Sequence, residues 1–462
     1  MHLFDGLPLL HGAVPWAVPA LAGAGLLAGL LRRRRRWWTV MVPSVAAISA
    51  MLVAATAWYL QHSGTVRDHY PPTFGLWVGL IPLAAGVGVV GWGSAAWWRR
   101  IVSLLTVPVT CASAFVLVNA HYGYWPTVGD LLGRPLPHQI TAAALADPPP
   151  DLGPPAVALP AATFPAAGPV PVAAGGHPHG RAKKTTQLAA PASPKGVHGA
   201  LVTLDIPPGT SGFRSRPGTL YLPPAFFAPA PPPLPVLVLL AGTPGAPDAW
   251  PRSGALQTVD DYAAQHHGVA PILAFVDPNG SFLGDTECVD GPAGKAETFM
   301  AVDVPNFLSG VLHVPLDPAR WAIGGFSEGG TCGFELAVRH PQTYRTFVDI
   351  AGDFAPNLGS PSATLRKLYG GDEAAMAAHD PMELLRSDGL AGLHGWFVVG
   401  TSDDAHLPVA QRLGAASRSA GITVGTEILA GNHTWHFVVG AFKVAFPAIA
   451  SELLAPVTST AA

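Results

Sequence analysis

The residue best placed to do covalent chemistry is Ser327, in the run Trp321-Ala322-Ile323-Gly324-Gly325-Phe326-Ser327-Glu328-Gly329-Gly330. A short apolar stretch runs into this serine, and a helix-like segment, Thr331 to Val338, follows it. That is the strand–turn–helix setting of a G-x-S-x-G nucleophile elbow. The serine there sits in a strained turn, so the positions two residues to either side must be nearly free of side chain. Gly325 and Gly329 meet that demand. A serine hydroxyl is a weak nucleophile by itself and needs a base, which in turn needs a group to orient it.

Both partners follow downstream. Trp396–Gly400 reads as a buried strand and delivers Thr401-Ser402-Asp403-Asp404 at its end. Gly425–Leu429 reads as another strand and leads into Ala430-Gly431-Asn432-His433-Thr434-Trp435-His436. Ser, then Asp, then His is the chain order of the α/β-hydrolase triad. In the mechanism this implies, His433 takes the Ser327 proton, while Asp403 orients the imidazole and stabilises its cation. Singly, Asp403 also reads as a loop carboxylate and His433 as a helix cap; three residues at three strand ends in one order favour the triad. An oxyanion hole is expected after the apolar run Leu234–Leu240, a central parallel strand by its composition. It ends in Ala241-Gly242-Thr243-Pro244-Gly245, and the backbone N–H groups of Thr243 and Glu328 are the expected donors.

Residues 197–455 resemble the esterase family that includes enterochelin esterases, S-formylglutathione hydrolases and the antigen 85 mycolyltransferases. The resemblance rests on the elbow at Ser327, Gly400-x-x-Asp403, His433-x-Trp435, and Leu239-Leu240-Ala241-Gly242 with Trp250. Asp285–Pro292 followed by Glu297-Thr298-Phe299 is similar to a segment of the membrane-attached bacterial branch. The resemblance implies Asp403 as catalytic acid and His433 as base, with Asp404 and His436 as neighbours. Many relatives carry His where this chain has Ala241.

The elements that must position these residues alternate. Leu201–Ile206 and Gly218–Leu222 read as an antiparallel pair that opens a sheet. Helical and strand patterns then follow one another through Asp260–His266, Pro271–Val276, Val302–Val311, Arg320–Ile323 and Tyr344–Ile350. Such alternation predicts a doubly wound, mostly parallel sheet with helices on both faces. Between Phe354 and Leu385 the pattern is less regular, and this insertion is expected to cover the site and shape an acyl pocket. Asp353 and His379 within or beside it read as loop or capping residues outside the triad.

The rest of the chain predicts where the chemistry happens. Hydrophobic residues make up 49% of the chain and charged ones 12%, with a net charge of −3, so nothing here suits a nucleic-acid partner. The apolar residues concentrate in residues 1–119, where spans can be drawn at about 12–31, 37–60, 76–98 and 101–119. Each is close to the ~20 residues that cross a bilayer. Arg32–Arg36 lie between spans one and two and Arg99-Arg100 between three and four, which places both clusters in the cytoplasm and the C-terminal domain outside. A cleaved signal peptide fits poorly, since the charges follow the first apolar segment and three more spans remain. The arginine run serves topology and anionic lipid headgroups. Residues 120–196 are expected to form a Pro/Ala-rich spacer, and 456–462 a tail. His177-Pro178-His179 in that spacer is too sparse for a metal site, and no cofactor is called for.

Of three cysteines, Cys111 reads as an apolar filler in span four, while Cys288 and Cys332 fall in the domain expected in an oxidising compartment. A Cys288–Cys332 disulfide is expected, two unpaired thiols being the alternative. The expected protein is thus a multi-pass membrane serine esterase with an extracytoplasmic catalytic domain, acting on an ester or acyl-lipid. An acyltransferase to a sugar or lipid hydroxyl shares every named residue. A peptidase on the same fold, and a non-catalytic envelope scaffold, are the remaining readings.

Overall fold

The computed structural model describes residues 4–62, 72–142 and 198–455. Most of the expected spacer, including His177 and His179, and all of the tail lie outside these residues.

The first part is a bundle of apolar helices: α1 (Val14–Leu30), α2 (Val42–His62, entered through a π-helical turn at Trp37–Met41), α3 (Pro72–Gly91) and α4 (Trp97–Tyr122). The stretches Trp37–Leu60, Thr73–Ser94 and Trp97–Tyr122 are long and apolar enough to cross a membrane; α1 is shorter, at 17 residues. Small residues let these helices approach closely. Gly25 of α1 faces Thr106 of α4, and Gly86 of α3 faces Val45 of α2. Outward positions such as Leu21, Met51, Leu76 and Leu104 are exposed apolar side chains. Cys111, read from the sequence as an apolar filler in the fourth span, is also on this outer surface.

The basic residues gather at one end of the bundle. Arg32 donates to the Gly91 carbonyl and to Ser94 Oγ, each at 2.9 Å, and Arg99 donates to the Leu31 carbonyl at 2.9 Å. The C-terminal domain meets the opposite end. There the N-terminal strap pairs with the segment after α4, through Leu9 N–H to the Pro126 carbonyl at 2.8 Å and Gly129 N–H to the Asp5 carbonyl at 2.8 Å. Residues 123–142 therefore form structure where a spacer was expected from 120 onward. Asp130 takes a salt bridge from Arg252 at 3.0 Å. The short strand β1 (Gln139–Ile140) joins the domain's sheet.

That sheet has nine strands in the order β1-β2-β3-β5-β4-β8-β9-β10-β11. They are β2 (Ala200–Leu204), β3 (Gly218–Leu222), β4 (Val236–Leu240), β5 (Ile272–Val276), β8 (Trp321–Phe326), β9 (Thr346–Ile350), β10 (His394–Gly400) and β11 (Thr423–Leu429). The two-residue pieces β6 (Asp290–Gly291) and β7 (Gly294–Lys295) form a separate small hairpin. Strand β3 is antiparallel to both β2 and β5, and every pairing from β5 through β4 to β11 is parallel. Every residue of β4 is fully buried, which explains its unbroken apolar run: helices cover both faces.

One further helix, Trp435–Leu454, is long and apolar enough to cross a membrane by composition. It instead packs on the sheet, with Phe442, Ala445, Phe446, Ile449 and Leu453 buried in the core. Chain connections leave β4 toward β5 on one side and return to β8 on the other, so the winding reverses beside β4. In an open α/β sheet that reversal, at the carboxyl ends of the strands, is where ligands bind.

Candidate active site

At that reversal β8 ends and Ser327 begins the turn into the helix Glu328–Arg339. Its backbone lies at φ 59° and ψ −124°, a conformation that costs a residue with a Cβ on the order of 1–3 kcal/mol. The turn is clamped by the Ser327 N–H donating to the Ile350 carbonyl at 2.9 Å. A Cβ on Gly329 would stand 2.8 Å from the Leu240 carbonyl carbon, so the elbow folds tightly only with glycine there. Gly242 does the same for the facing loop: a Cβ there would lie 2.8 Å from the Ser327 Cβ. Missing side chains thus bring the backbone after β4 against the serine.

That loop is held from behind. The Glu328 carboxylate, 2% exposed, receives the Thr243 hydroxyl and, at 2.7 Å, the Asn279 amide. Asn279 also donates to Thr243 Oγ1 at 3.0 Å, and the Gly284 carbonyl lies 3.1 Å from the same hydroxyl oxygen. The two residues expected to supply oxyanion donors are therefore tied together through their side chains. Glu328 is the first helical residue, whose N–H has no acceptor within its own helix. Cys288 and Cys332 are bonded as a disulfide with Cα atoms 5.6 Å apart, joining the loop before β6 to the helix behind Ser327.

Asp403 follows β10 and is buried; His433 follows β11 and is half-buried. The two meet, His433 Nδ1 to Asp403 Oδ2, at 2.9 Å. Phe326, the residue before the serine, lays its ring against His433 with centroids 4.6 Å apart. Ser327, Glu328 and His433 line one cavity of about 380 Å³ together with Gly242 and Thr243. The neighbours diverge: Asp404 is exposed, and His436 Nε2 reaches the Ala120 carbonyl at the end of α4, 3.0 Å away.

A second histidine was not foreseen. His406 Nδ1 meets the other oxygen of Asp403 at 2.6 Å, its Nε2 lies 3.4 Å from Asp353 Oδ1, and its ring stacks on His433 with centroids 4.3 Å apart. Burial opposes charge on His406, but hydrogen bonds and attraction to Asp353 and Asp403 outweigh it and push its pKa up to about 10. Burial would likewise raise the Asp403 pKa, yet hydrogen bonds from His406 and His433 hold it well below the usual carboxylate range. His406 is thus an imidazolium at neutral pH, between two carboxylates.

Its charge has a consequence for stability. The folded pKa lies above the unfolded value of 6.5, so this contribution is complete below that pH and is lost as pH rises toward 10. Thermal unfolding of the solubilised protein is expected to show a loss of at most roughly 4 kcal/mol across that interval. His406→Gln should flatten most of the slope; an unchanged slope would show that the charge resides elsewhere.

Asp403, His406 and His433 are close enough to resemble a metal-binding trio. Both imidazoles instead turn Nδ1 to the Asp403 carboxylate, His406 to Oδ1 and His433 to Oδ2. His379 sits apart from this site, buried and paired with Glu335. The 354–385 segment, expected to shape the pocket, contributes no lining residue to this cavity among the described residues. It builds a separate small core from Leu358, Leu368 and Tyr369 with Val289. The cavity's outer wall comes from the helix bundle instead, through Phe74 of α3 and Phe115, Val118 and Tyr122 of α4.

Several known proteins are similar to parts of this chain. The family model described as "Putative esterase" matches residues 213–451. An uncharacterized protein of Corynebacterium glutamicum is 37% identical over 261 residues, 54% of this chain and 61% of the relative, so the match spans less than two thirds of that relative's length. Among solved structures, a ferulic acid esterase aligns with 19% identity and a TM-score of 0.48, over 55% of this chain and 99% of its own. An S-formylglutathione hydrolase from Agrobacterium tumefaciens aligns with 16% identity and a TM-score of 0.46, over 55% and 96%. MPT51 of Mycobacterium tuberculosis aligns with 18% identity and a TM-score of 0.42, over 54% and 98%.

Proposed function

This chain belongs to the esterase family, and on that premise we propose that it hydrolyses carboxylic esters through an acyl-enzyme on Ser327. Ser327 Oγ attacks the ester carbonyl carbon while His433 accepts its proton, and Asp403 holds the imidazole in the required tautomer. The N–H groups of Thr243 and Glu328 receive the developing oxyanion; one such donor is worth about 10²- to 10³-fold in rate. The carbonyl–alkoxy bond then breaks, His433 returns the proton to the leaving alcohol, and water reverses the sequence to release the acid. The observation that carries this reading is a positive-φ serine sharing its cavity with a histidine that stands 2.9 Å from a buried carboxylate.

The setting is proposed to be a membrane, with the catalytic domain on the extracytoplasmic side. Support comes from the basic residues at the far end of the bundle, since Lys and Arg favour the cytoplasmic face. A fluorophosphonate probe tests the chemistry: it should label the full-length protein at Ser327, and neither Ser327→Ala nor His433→Ala should react. Folded wild type that resists labelling would sink the catalytic reading and bring the scaffold reading forward.

A further inference from the structure

An aromatic path leads from the candidate base into the helix bundle. His433 packs on Phe326, Phe326 on Trp435 with ring centroids 5.4 Å apart, and Trp435 on Tyr124 at 6.1 Å. Tyr124 meets Phe282 at 5.8 Å, Phe282 stacks on Trp125 at 6.2 Å, and Trp125 meets Phe115 of α4 at 5.6 Å. The turn carrying Tyr124 and Trp125 is fastened to α4 by Asn119. Its amide donates to the Trp125 carbonyl and its oxygen accepts the Trp125 N–H, both at 2.8 Å. The cavity is thus one space with two ends, a polar one at Ser327 and an apolar one between α3 and α4.

Depth gives this arrangement meaning. Phe115 lies seven residues before Tyr122, the last residue of α4. At ~1.5 Å per residue that is roughly 10 Å below the helix end. Half of a ~30 Å hydrocarbon layer reaches deeper than this, so with the bundle in a bilayer, as proposed above, the apolar end of the cavity lies at the level of acyl chains in the leaflet beneath the C-terminal domain. A short polar ester would leave those walls unfilled, whereas an acyl chain already in the leaflet reaches them without crossing water.

We propose that the substrate is a membrane lipid ester whose acyl chain enters the cavity from that leaflet and lies along Phe74, Phe115 and Val118, with its ester carbonyl at Ser327. This rests on the esterase reading above and names its substrate class. The lipid's acyl carbon would become bonded to Ser327 Oγ, and its alcohol portion would leave carrying the proton from His433.

The test uses the full chain in phospholipid nanodiscs and two probes, an ethyl and a hexadecyl fluorophosphonate. Wild type should label at least 10-fold faster with the long probe. Val118→Trp, and the milder Val118→Phe, should lower the long-to-short ratio by about 10-fold by filling the chain path. Leu104→Trp, on the outer face of the same helix, should leave the ratio as in wild type; the comparison removes any effect of probe partitioning. Short-probe labelling of the Val118 variants reports an intact elbow. A ratio unaffected by either Val118 variant while Ser327 still labels would overturn the lipid assignment and leave the esterase reading standing. Failure of both probes on wild type would overturn the esterase reading, and this assignment with it.

Discussion

Ser327→Ala is expected to reduce ester hydrolysis by about 10⁶-fold in kcat, and His433→Ala by a comparable factor, since nucleophile and base act as one unit. For the same reason the double variant should be scarcely worse than either single one. Hydrolysis of a chromogenic ester by the solubilised protein measures all three. Additive losses in the double variant would mean that the two residues do not share a step. The serine's backbone supplies an internal control. Alanine retains a Cβ at φ 59° and keeps the strain, whereas Ser327→Gly removes hydroxyl and strain together. Ser327→Gly should therefore be inactive yet more stable than Ser327→Ala, by something on the order of 1 kcal/mol. Strain retained at a site where its removal stabilises the fold is expected when function demands the conformation. If the glycine variant gains nothing in thermal unfolding, the elbow geometry has another origin.

Much of this architecture was legible in the sequence because burial writes itself into composition. β4 and β8 are covered on both faces, so Val236–Leu240 and Trp321–Ile323 are continuous apolar runs; the glycines around Ser327 mark a place where backbones touch. Features depending on chain-distant neighbours left no such trace. Gln139–Ile140 is only two residues long and sits next to proline-rich sequence, so its parallel pairing with Leu201 and Val202 has no periodicity to reveal it. His406 follows Asp403 by three residues, a spacing common in any helix start, and its stacking on His433 depends on the loop after β11. The wall formed by Phe74, Phe115 and Val118 was hidden by hydropathy itself. An apolar residue facing a cavity and one on the outer surface look alike in a uniformly apolar helix, so the sequence pointed to the 354–385 insertion for a pocket that α3 and α4 help to line.

Asp403→Asn should cost about 10⁴-fold in kcat, because an amide facing His433 Nδ1 favours the wrong tautomer of the base. Asp403 divides its two oxygens, one to His433 at 2.9 Å and one to His406 at 2.6 Å, so two different roles have to be told apart. If the carboxylate serves mainly the catalytic imidazole, His406→Gln should lower kcat by no more than about 10-fold, since a glutamine amide can still donate to Asp403. If Asp403 acts mainly as a counter-ion to the His406 imidazolium, the two substitutions should be similar in activity. Stability separates them further. Asp403→Asn leaves the buried His406 cation with Asp353 as its remaining acidic partner of the two, and removing one partner of a buried pair costs roughly 3–5 kcal/mol. His406→Gln removes the cation itself and should cost less. Parallel kinetics and unfolding of both variants therefore assign the carboxylate. A large loss of activity confined to Asp403→Asn fits the triad, and similar activities in both would make Asp403 chiefly the counter-ion of His406.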